Sequence, residues 1–186
     1  ETLLYFYNKT NQKKYLDPVA LLIKQISSKG IYDHVEGGIC RYTVDENWTV
    51  PHFEKMLYDN VQFILLLSKY CKINKDNYFK EKLDQTIEFL KKEFLNKDNL
   101  LGSAYDADSD GKEGKYYIYS YVEINDIKNI KEYFEIDPKG NWENQIILIE
   151  KKPPPIEIID KLFEIRSKKK KPFFDSKTQL DLNCLW

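Results

Sequence analysis

The spacing of apolar residues constrains the fold of this chain most strongly. Apolar side chains recur at intervals of three and four early in the chain, at Val19, Leu22, Ile23 and Ile26. This is the period of one face of an α-helix. The preceding Asp17-Pro18 is a typical helix start, with Asp as N-cap and Pro at the first helical position. The pattern predicts a helix that begins at Pro18 and ends near Gly30.

Two further helical patterns follow. The first opens at Pro51, runs to about Cys71 and is apolar around most of its circumference, which predicts a helix buried on more than one side. After the short connection 73–77, a second pattern places apolar residues at Phe79, Leu83, Ile87, Leu90 and Phe94. Helices joined by so short a loop are usually antiparallel neighbours. The fold class predicted is therefore mainly α, built from helical hairpins.

The second half of the chain mixes shorter elements. Its patterns predict strands at 116–121 and 146–149, helices at 122–134 and 156–167, and the start of a last helix from Thr178. The three prolines at 153–155 predict an extended polyproline segment. The lysines at 168–171 are typical of a solvated helix end.

Composition excludes several classes of function. The net charge is −1, which gives no reason to expect nucleic acid or an anionic membrane as a partner, and no apolar run approaches the ~20 residues of a membrane span. The three cysteines form no CxxC pair, so we expect reduced thiols in a cytoplasmic protein, with no metal site and no cofactor. Of 29 basic residues only Arg41 and Arg166 are arginine, which indicates that a planar guanidinium is needed there.

Scarce residue types gather in two long loops. Six of the seven glycines lie at 30–38 and 102–114, and both histidines and Arg41 lie in or just after the first of these windows. One interpretation is a site assembled from two loops. The other is that glycines simply collect in loops, and composition favours neither.

The window 30–60 contains the candidate acid–base groups. A helix that begins at Pro51 would place His52 and Glu54 in its first turn, where the helix dipole disfavours imidazolium and leaves a neutral general base. The alternative is that Glu54 only satisfies the helix start while His52 packs against Trp48. Within such a helix Glu54 and Tyr58 share a face, as do Lys55 and Asp59, the latter most simply as an ion pair.

The run DADSDG at 106–111 raises the question of calcium. An EF-hand loop needs a Glu at its twelfth position, and counting from Asp106 that position is Tyr117, while Glu113 comes too early. An EF-hand is therefore excluded by the spacing. An irregular calcium loop stays open, because three carboxylates within six residues repel each other unless a cation, a lysine or protons intervene. The other interpretation is a carboxylate-rich rim for a hydroxylated substrate.

Two blocks, GGICRYTVDENWTVPHFEKMLYDN (37–60) and YDADSDGKEGKYYIYS (105–120), resemble signature regions of the spermatogenesis-associated, YyaL-like protein family. That resemblance implies a thioredoxin-like domain followed by a six-hairpin (α/α)₆ toroid, of which residues 1–186 would be an interior segment without the thioredoxin-like domain. The toroid is similar to that of sugar epimerases and several glycoside hydrolases. The acidic loop would then lie at a substrate funnel, with Asp106 and Asp108 facing it.

The resemblance and the loop residues together lead to three hypotheses. The first is a carbohydrate-active enzyme that binds a small sugar, an epimerase or isomerase, or less favourably a glycoside hydrolase. Its candidate catalytic residues are His34, His52, Glu54, Asp106 and Asp108, with His34 facing the funnel. Its candidate substrate-binding residues are Asp33, Arg41, Tyr42, Asp45, Trp48 and Tyr58, whose carboxylates and aromatic faces suit sugar hydroxyls and rings.

The second hypothesis is a non-catalytic toroid that binds a sugar or a client and is attached to a thioredoxin-like domain in the full-length protein. The third is that the segment alone has no activity, because half a toroid leaves apolar helix faces uncovered. A matched acid and base with shifted pKa values would favour the enzyme over the binding module.

Overall fold

A computed structural model describes residues 1–186 of the chain. Four helices form two packed pairs, α1 (Thr2–Thr10) with α2 (Lys13–Ser28) and α3 (Leu57–Ile73) with α4 (Asn77–Glu93). Residues 11–12 join the first pair and residues 74–76 the second, so each pair packs side by side as a hairpin. The mainly α, hairpin-built fold class expected for part of an (α/α)₆ toroid is confirmed.

The beginnings of two helices were predicted wrongly. Helix α2 begins at Lys13, and Pro18 lies inside it. A proline at this position removes one backbone hydrogen bond, which burial of Val19 and Ile23 on the same helix offsets. Helix α3 begins at Leu57, not at Pro51, because residues 51–52 and 55–56 are paired as strands.

Short antiparallel strands tie the loops together. Strand β1 (Tyr42–Thr43) pairs with β2 (Pro51–His52), and β5 (Asp108–Ser109) pairs with β6 (Lys112–Glu113). A three-stranded sheet has the order β3 (Lys55–Met56), β4 (Ala104–Tyr105) and β7 (Phe174–Asp175). Because β4 is central, it brings the acidic loop beside the segment that leads into α3.

The second half holds four helices, α5 (Tyr121–Ile124), α6 (Ile130–Tyr133), α7 (Ile156–Ser167) and α8 (Leu180–Asn183). Helix α7 has the predicted bounds, and Pro155 is extended with φ −69° and ψ 156°. The predicted helix 122–134 is instead two short helices, separated by a turn in which Asn129 has φ 65°.

The two predicted strands at 116–121 and 146–149 are wrong except for one bridge between Tyr119 and Ile146. Tyr116 and Tyr117 instead form a turn, in which Tyr117 N donates to the carbonyl of Gly114. The lysine run is also more than a solvated helix end. Lys169 donates to the carbonyl of Ile118 at 2.5 Å, and Lys171 donates to Glu93 at 2.7 Å.

The core consists of four apolar clusters. One lies between the two long hairpins around Ile23 and Leu67, and a second packs α7 on α5 and α6 around Phe134. A third, around Phe53, lies beneath the strand-rich loops. A fourth, around Leu57, lies between the first turns of α3 and the last turns of α4. None of the helices has the length and apolar character required to cross a membrane.

Candidate functional site

His52 lies between two glutamates. Strand β2 directs its imidazole so that Nε2 is 3.2 Å from Glu54 Oε2 and Nδ1 is 3.0 Å from Glu113 Oε1. Glu54 also accepts a hydrogen bond of 3.2 Å from the Nη1 of Arg41. Each ring nitrogen therefore faces a carboxylate oxygen, and the imidazole can donate to both only when both nitrogens carry a proton.

Aromatic side chains flank this group. The ring of Tyr42 stacks on the imidazole of His52 with centroids 5.0 Å apart and planes 22° from parallel. The alternative expectation, that His52 packs against Trp48, is therefore wrong. Tyr42 is 48% exposed, so its outer face is open to solvent. A flat apolar face beside carboxylates and a guanidinium is an arrangement that suits a sugar ring.

Asp59 contributes a carboxyl that the sequence analysis missed. It lies in the first turn of α3, and its Oδ2 is buried with no hydrogen-bond partner. Burial raises the pKa of Asp59 to about 6, with Arg41 lowering it and Glu54 raising it to smaller extents. A carboxyl of this kind is partly protonated near neutral pH and can act as a general acid. The sequence does place the carboxylates of Glu54 and Asp59 in one short segment, but the i, i+4 spacing favoured an ion pair of Asp59 with Lys55.

The acidic loop DADSDG is a β-hairpin. Asp110 and Gly111 have φ of 55° and 73° and form its two-residue turn between β5 and β6. Strand periodicity explains the alternation of the aspartates, since Asp108 is exposed while the intervening Ser109 is buried and donates to the carbonyl of Lys170. Asp110 is neutralised by Lys115 at 2.6 Å.

No group of three or more His, Cys, Asp or Glu side chains in this structure converges in a way that could hold a metal ion. The hairpin instead adjoins the His52 group. Glu113 is the β6 partner of Asp108 and is also the residue that contacts His52. The β3–β4 register, with Lys55 opposite Tyr105, places Asp106 opposite Glu54 at the end of the ladder. The two loops that were expected to form one site are therefore adjacent.

Asp33 and His34 do not lie at this surface. Both are buried, at 7% and 5% exposure, so the expectation that His34 faces an open funnel is wrong in this structure. His34 Nε2 is 3.1 Å from the carbonyl of Lys29, while Nδ1 lies 3.4 Å from the Nζ of Lys82. Burial, and then the Lys82 ammonium, lower the pKa of His34. His34 is therefore a neutral core histidine.

Asp33 is the centre of a buried ion network. Its carboxylate accepts from Arg166 Nη1 at 2.7 and 2.8 Å and from Lys55 Nζ at 2.6 Å. Burial alone would raise the pKa of Asp33, but the two cations hold it well below its usual range. Lys55 is therefore the partner of Asp33 and not of Asp59, which corrects the i, i+4 prediction. Glu36 adds a second carboxylate 3.2 Å from Arg166.

Asp45 and Trp48 organise the loop that precedes β2. The carboxylate of Asp45 accepts from three backbone N–H groups, those of Asn47, Thr49 and Val50, at 2.6–3.2 Å. Trp48 has φ 62° and packs partly buried against the cluster around Phe53. Asp45 is thereby tied to the backbone and not free to bind a ligand.

Comparison with known proteins finds several relatives. Over 108 residues, 55% of its length, the chain is 33% identical to spermatogenesis-associated protein 20 of Homo sapiens and 32% identical to that of Mus musculus. The predicted resemblance to the spermatogenesis-associated family is confirmed. The matched part spans 14% of each mammalian protein. An uncharacterized protein of Caenorhabditis elegans, B0495.5, is 28% identical over an alignment of 158 positions that covers 72% of this chain and 22% of that protein. No family model matches the chain.

Among solved structures, the chain is similar to an alpha-1,6-mannanase of Salegentibacter sp., solved alone and as an inactive variant in complex with alpha-1,6-mannotriose. Both comparisons have a TM-score of 0.47 and 20% sequence identity. Each covers 59% of this chain and 30% of the mannanase.

Proposed function

We propose that this chain is part of a carbohydrate-active (α/α)₆ domain whose reaction is proton transfer on a sugar, of the epimerase or isomerase type. The observation that carries the proposal is the surface group of His52 between Glu54 and Glu113, with Tyr42 stacked beside it and Asp59 next to Arg41. This group, called the His52 cluster below, consists of Arg41, Tyr42, His52, Glu54, Asp59 and Glu113, together with Tyr58, whose side chain hydrogen-bonds to Arg41.

The chemistry requires two proton-transfer groups. A base removes the proton from the carbon next to a carbonyl, the electron pair moves to the carbonyl oxygen, and an acid returns a proton to the opposite face of the same carbon. Deprotonated His52 supplies the base, and Asp59 supplies the acid because its pKa of about 6 leaves it partly protonated near neutral pH. Asp59 thus replaces His34, which is buried.

Arg41 supplies the charge that such a reaction needs. The Arg41 side chain is 45% exposed and contacts Glu54 through Nη1 at 3.2 Å, so other N–H donors of its guanidinium are free to bind an oxyanion that forms on the substrate. Tyr42 and Tyr58 give the ring an apolar wall, and Asp106 and Asp108 form a rim of exposed hydrogen-bond acceptors. Asp33 and Asp45 are not assigned a substrate contact, since other groups in the chain occupy both carboxylates.

The alternative is a non-catalytic sugar- or client-binding module beside a thioredoxin-like domain in the full-length protein. One observation favours it. Glu54 and Glu113 are both held by His52, and Glu54 by Arg41 as well, so neither carboxylate is a free base. A binding site tolerates that arrangement, whereas an enzyme needs substrate to displace it.

The test is a thermal-shift screen of the chain with glucose, mannose, galactose, N-acetylglucosamine and their disaccharides. A ligand at a hundred times its Kd stabilises the fold by about 2.7 kcal/mol, a shift of a few degrees for a domain of this size. We expect a shift with one sugar series that Glu54→Gln abolishes and Lys80→Gln, on an exposed α4 surface pair, does not. The proposal fails if no sugar shifts the transition, or if both variants respond as the parent does.

A further inference from the structure

A large groove adjoins the His52 cluster. It has a volume of about 800 Å³, within the range of about 300–1,000 Å³ typical of ligand sites. Glu113 lines it on one side and contacts His52 with its Oε1, so the groove and the cluster share a wall. A ligand that occupied the cluster could therefore continue into the groove without leaving the surface.

A second wall of the groove is a tight turn that carries Trp142. Trp142 and Gln145 close a two-residue turn through backbone hydrogen bonds of 3.1 and 2.7 Å. The side chain of Asn141 binds both the N–H and the carbonyl of Ile147 at 2.8 Å, which anchors the turn to the core. The indole of Trp142 packs against Phe53, centroids 5.4 Å apart, and is only partly buried.

The two residues at the tip of this turn adopt an uncommon backbone conformation. Glu143 and Asn144 have φ of 48° and 60°, a left-handed region that costs a residue with a side chain about 1 kcal/mol or more. Asn tolerates this conformation well, whereas Glu does not. Glu143 is exposed at the groove, and none of the ion pairs or side-chain hydrogen bonds of the chain involves it, so its carboxylate is available to a ligand.

The charges in the groove balance. Its walls carry three lysines and three glutamates: Lys112, Lys115, Lys169, Glu113, Glu123 and Glu143. Most of them are paired within the chain, Lys115 with Asp110 and Lys169 with Glu123 among them. Only Lys112 and Glu143 lack an ion-pair partner, which leaves one free cation and one free anion. Such a groove suits a neutral, polyhydroxylated ligand and has no net attraction for an anionic polymer.

From these observations we infer that the groove is a second saccharide subsite, with Trp142 as the stacking face and Glu143 and Gln145 as hydrogen-bond partners for hydroxyls. The substrate class of the proposed function, on which this inference rests, is then a neutral oligosaccharide. One ring lies at the His52 cluster and the next on Trp142.

The experiment is isothermal titration of the 186-residue chain with matched mono- and trisaccharides of the gluco, manno and galacto series. We expect one trisaccharide to bind on the order of tenfold more tightly than its monosaccharide, the ratio that about 1.4 kcal/mol produces. Trp142→Ala should bring the trisaccharide to the affinity of the monosaccharide and leave the monosaccharide unchanged.

Because Trp142 also packs on Phe53, Trp142→Ala could lower affinity by disturbing the fold. A second variant that does not remove core packing is therefore needed. Glu143→Gly relieves the left-handed strain and should raise the melting temperature. It should nevertheless weaken trisaccharide binding several-fold and leave monosaccharide binding intact. Higher stability with lower trisaccharide affinity is a result that a purely structural role for Glu143 does not produce.

The outcomes separate the two proposals. If a monosaccharide binds and no trisaccharide binds more tightly, or if Trp142→Ala and Glu143→Gly both keep the parent's trisaccharide affinity, the subsite is overturned while the proposed function stands. If no saccharide of any length binds, the proposed function fails and the subsite fails with it.

Discussion

Asp33 and Arg166 are 133 positions apart, yet both carboxylate oxygens of Asp33 lie within 2.8 Å of one guanidinium nitrogen of Arg166. This contact joins the loop after α2 to the last turn of α7. Both side chains are almost fully buried, at 3% and 2% exposure, so the pair fixes the position of two distant segments around the core.

Asp33→Asn tests this contact. Removing one partner of a buried pair typically costs about 3–5 kcal/mol, because the remaining charge is left uncompensated. Here Lys55 loses its carboxylate partner, whereas Arg166 keeps Glu36 at 3.2 Å. Urea unfolding at pH 7 measures the change. The double variant Asp33→Asn/Arg166→Met should cost less than the sum of the single variants. Additive costs would show that the pair is not coupled.

Acid should destabilise the fold through the buried carboxylate of Glu150. Burial alone would raise the pKa of Glu150, but Lys82, at 2.7 Å, and His34 bring it down to about 2. Because this folded-state pKa lies below the ordinary value of 4.5, the stability it contributes is present above pH 4.5 and is lost as pH falls towards 2. The lowered pKa of His34 has the same sign, since the unfolded chain takes up that proton first as pH falls through 6.5.

The measurement is the free energy of unfolding from pH 7 to pH 3. We expect a loss of about 2–3 kcal/mol from Glu150 in the parent. Glu150→Gln should start lower at pH 7 and show a shallower loss below pH 4.5. Equal slopes for the parent and the variant in that range would contradict the assignment.

Asp59 should behave in the opposite way. Burial raises its folded-state pKa from 3.8 to about 6, so the cost of ionising it in the fold grows between these two pH values and is fully present above 6. Asp59→Asn should therefore stabilise the chain at pH 7.5, by roughly 1–2 kcal/mol once partial solvent exposure is allowed for. The gain should shrink as pH falls and approach zero at about pH 3, below the ordinary Asp pKa of 3.8, where Asp59 is mostly protonated in both states. Urea unfolding at the two pH values measures it, and a gain independent of pH would point to packing instead.

Substitutions at two glycines with left-handed backbone distinguish the cost of backbone strain from the cost of overpacking. Gly111 has φ 73° and a Cβ added there would meet only open space, whereas a Cβ on Gly38, with φ 79°, would lie 2.5 Å from the ring of Phe89. Gly111→Ala should cost about 1 kcal/mol, from backbone strain alone. Gly38→Ala should cost about 2–4 kcal/mol, since overpacking adds to that strain. Urea unfolding compares them, and equal costs would refute the hairpin turn or the close packing at Gly38.

The elements predicted correctly from the sequence are those set by the local spacing of apolar residues. Helix α7 has its predicted bounds because its apolar period is unbroken from Ile156 to Ser167. The start of α3 was missed because the backbone of residues 51–52 and 55–56 pairs with strands at 42–43 and 104–105, and the second of these partners is about fifty residues away. That single error placed His52 and Glu54 on a helix and paired Lys55 with Asp59.

The candidate site was predictable in part for the same reason. The resemblance and the scarce residue types indicated the two loops and three residues that contact His52 or its partner, namely Arg41, Tyr42 and Glu54. Glu113 and Asp59 were missed, since the first reaches His52 through the β5–β6 hairpin and the second acquires its character from burial. Asp33 and His34 do not belong to the site because they are buried, and their burial could not be predicted from the local sequence pattern.

Proton exchange in D₂O tests the proposed reaction most directly. The chain is incubated with the sugars that shift its melting temperature, and ¹H NMR follows the proton on the carbon next to the carbonyl of each reducing sugar. With the parent chain we expect this signal to disappear or an epimer to appear, and we expect His52→Gln and Asp59→Asn each to abolish the change. If a sugar binds at the His52 cluster without proton exchange or conversion, the proposed enzyme activity is contradicted and the non-catalytic binding module is the function that remains.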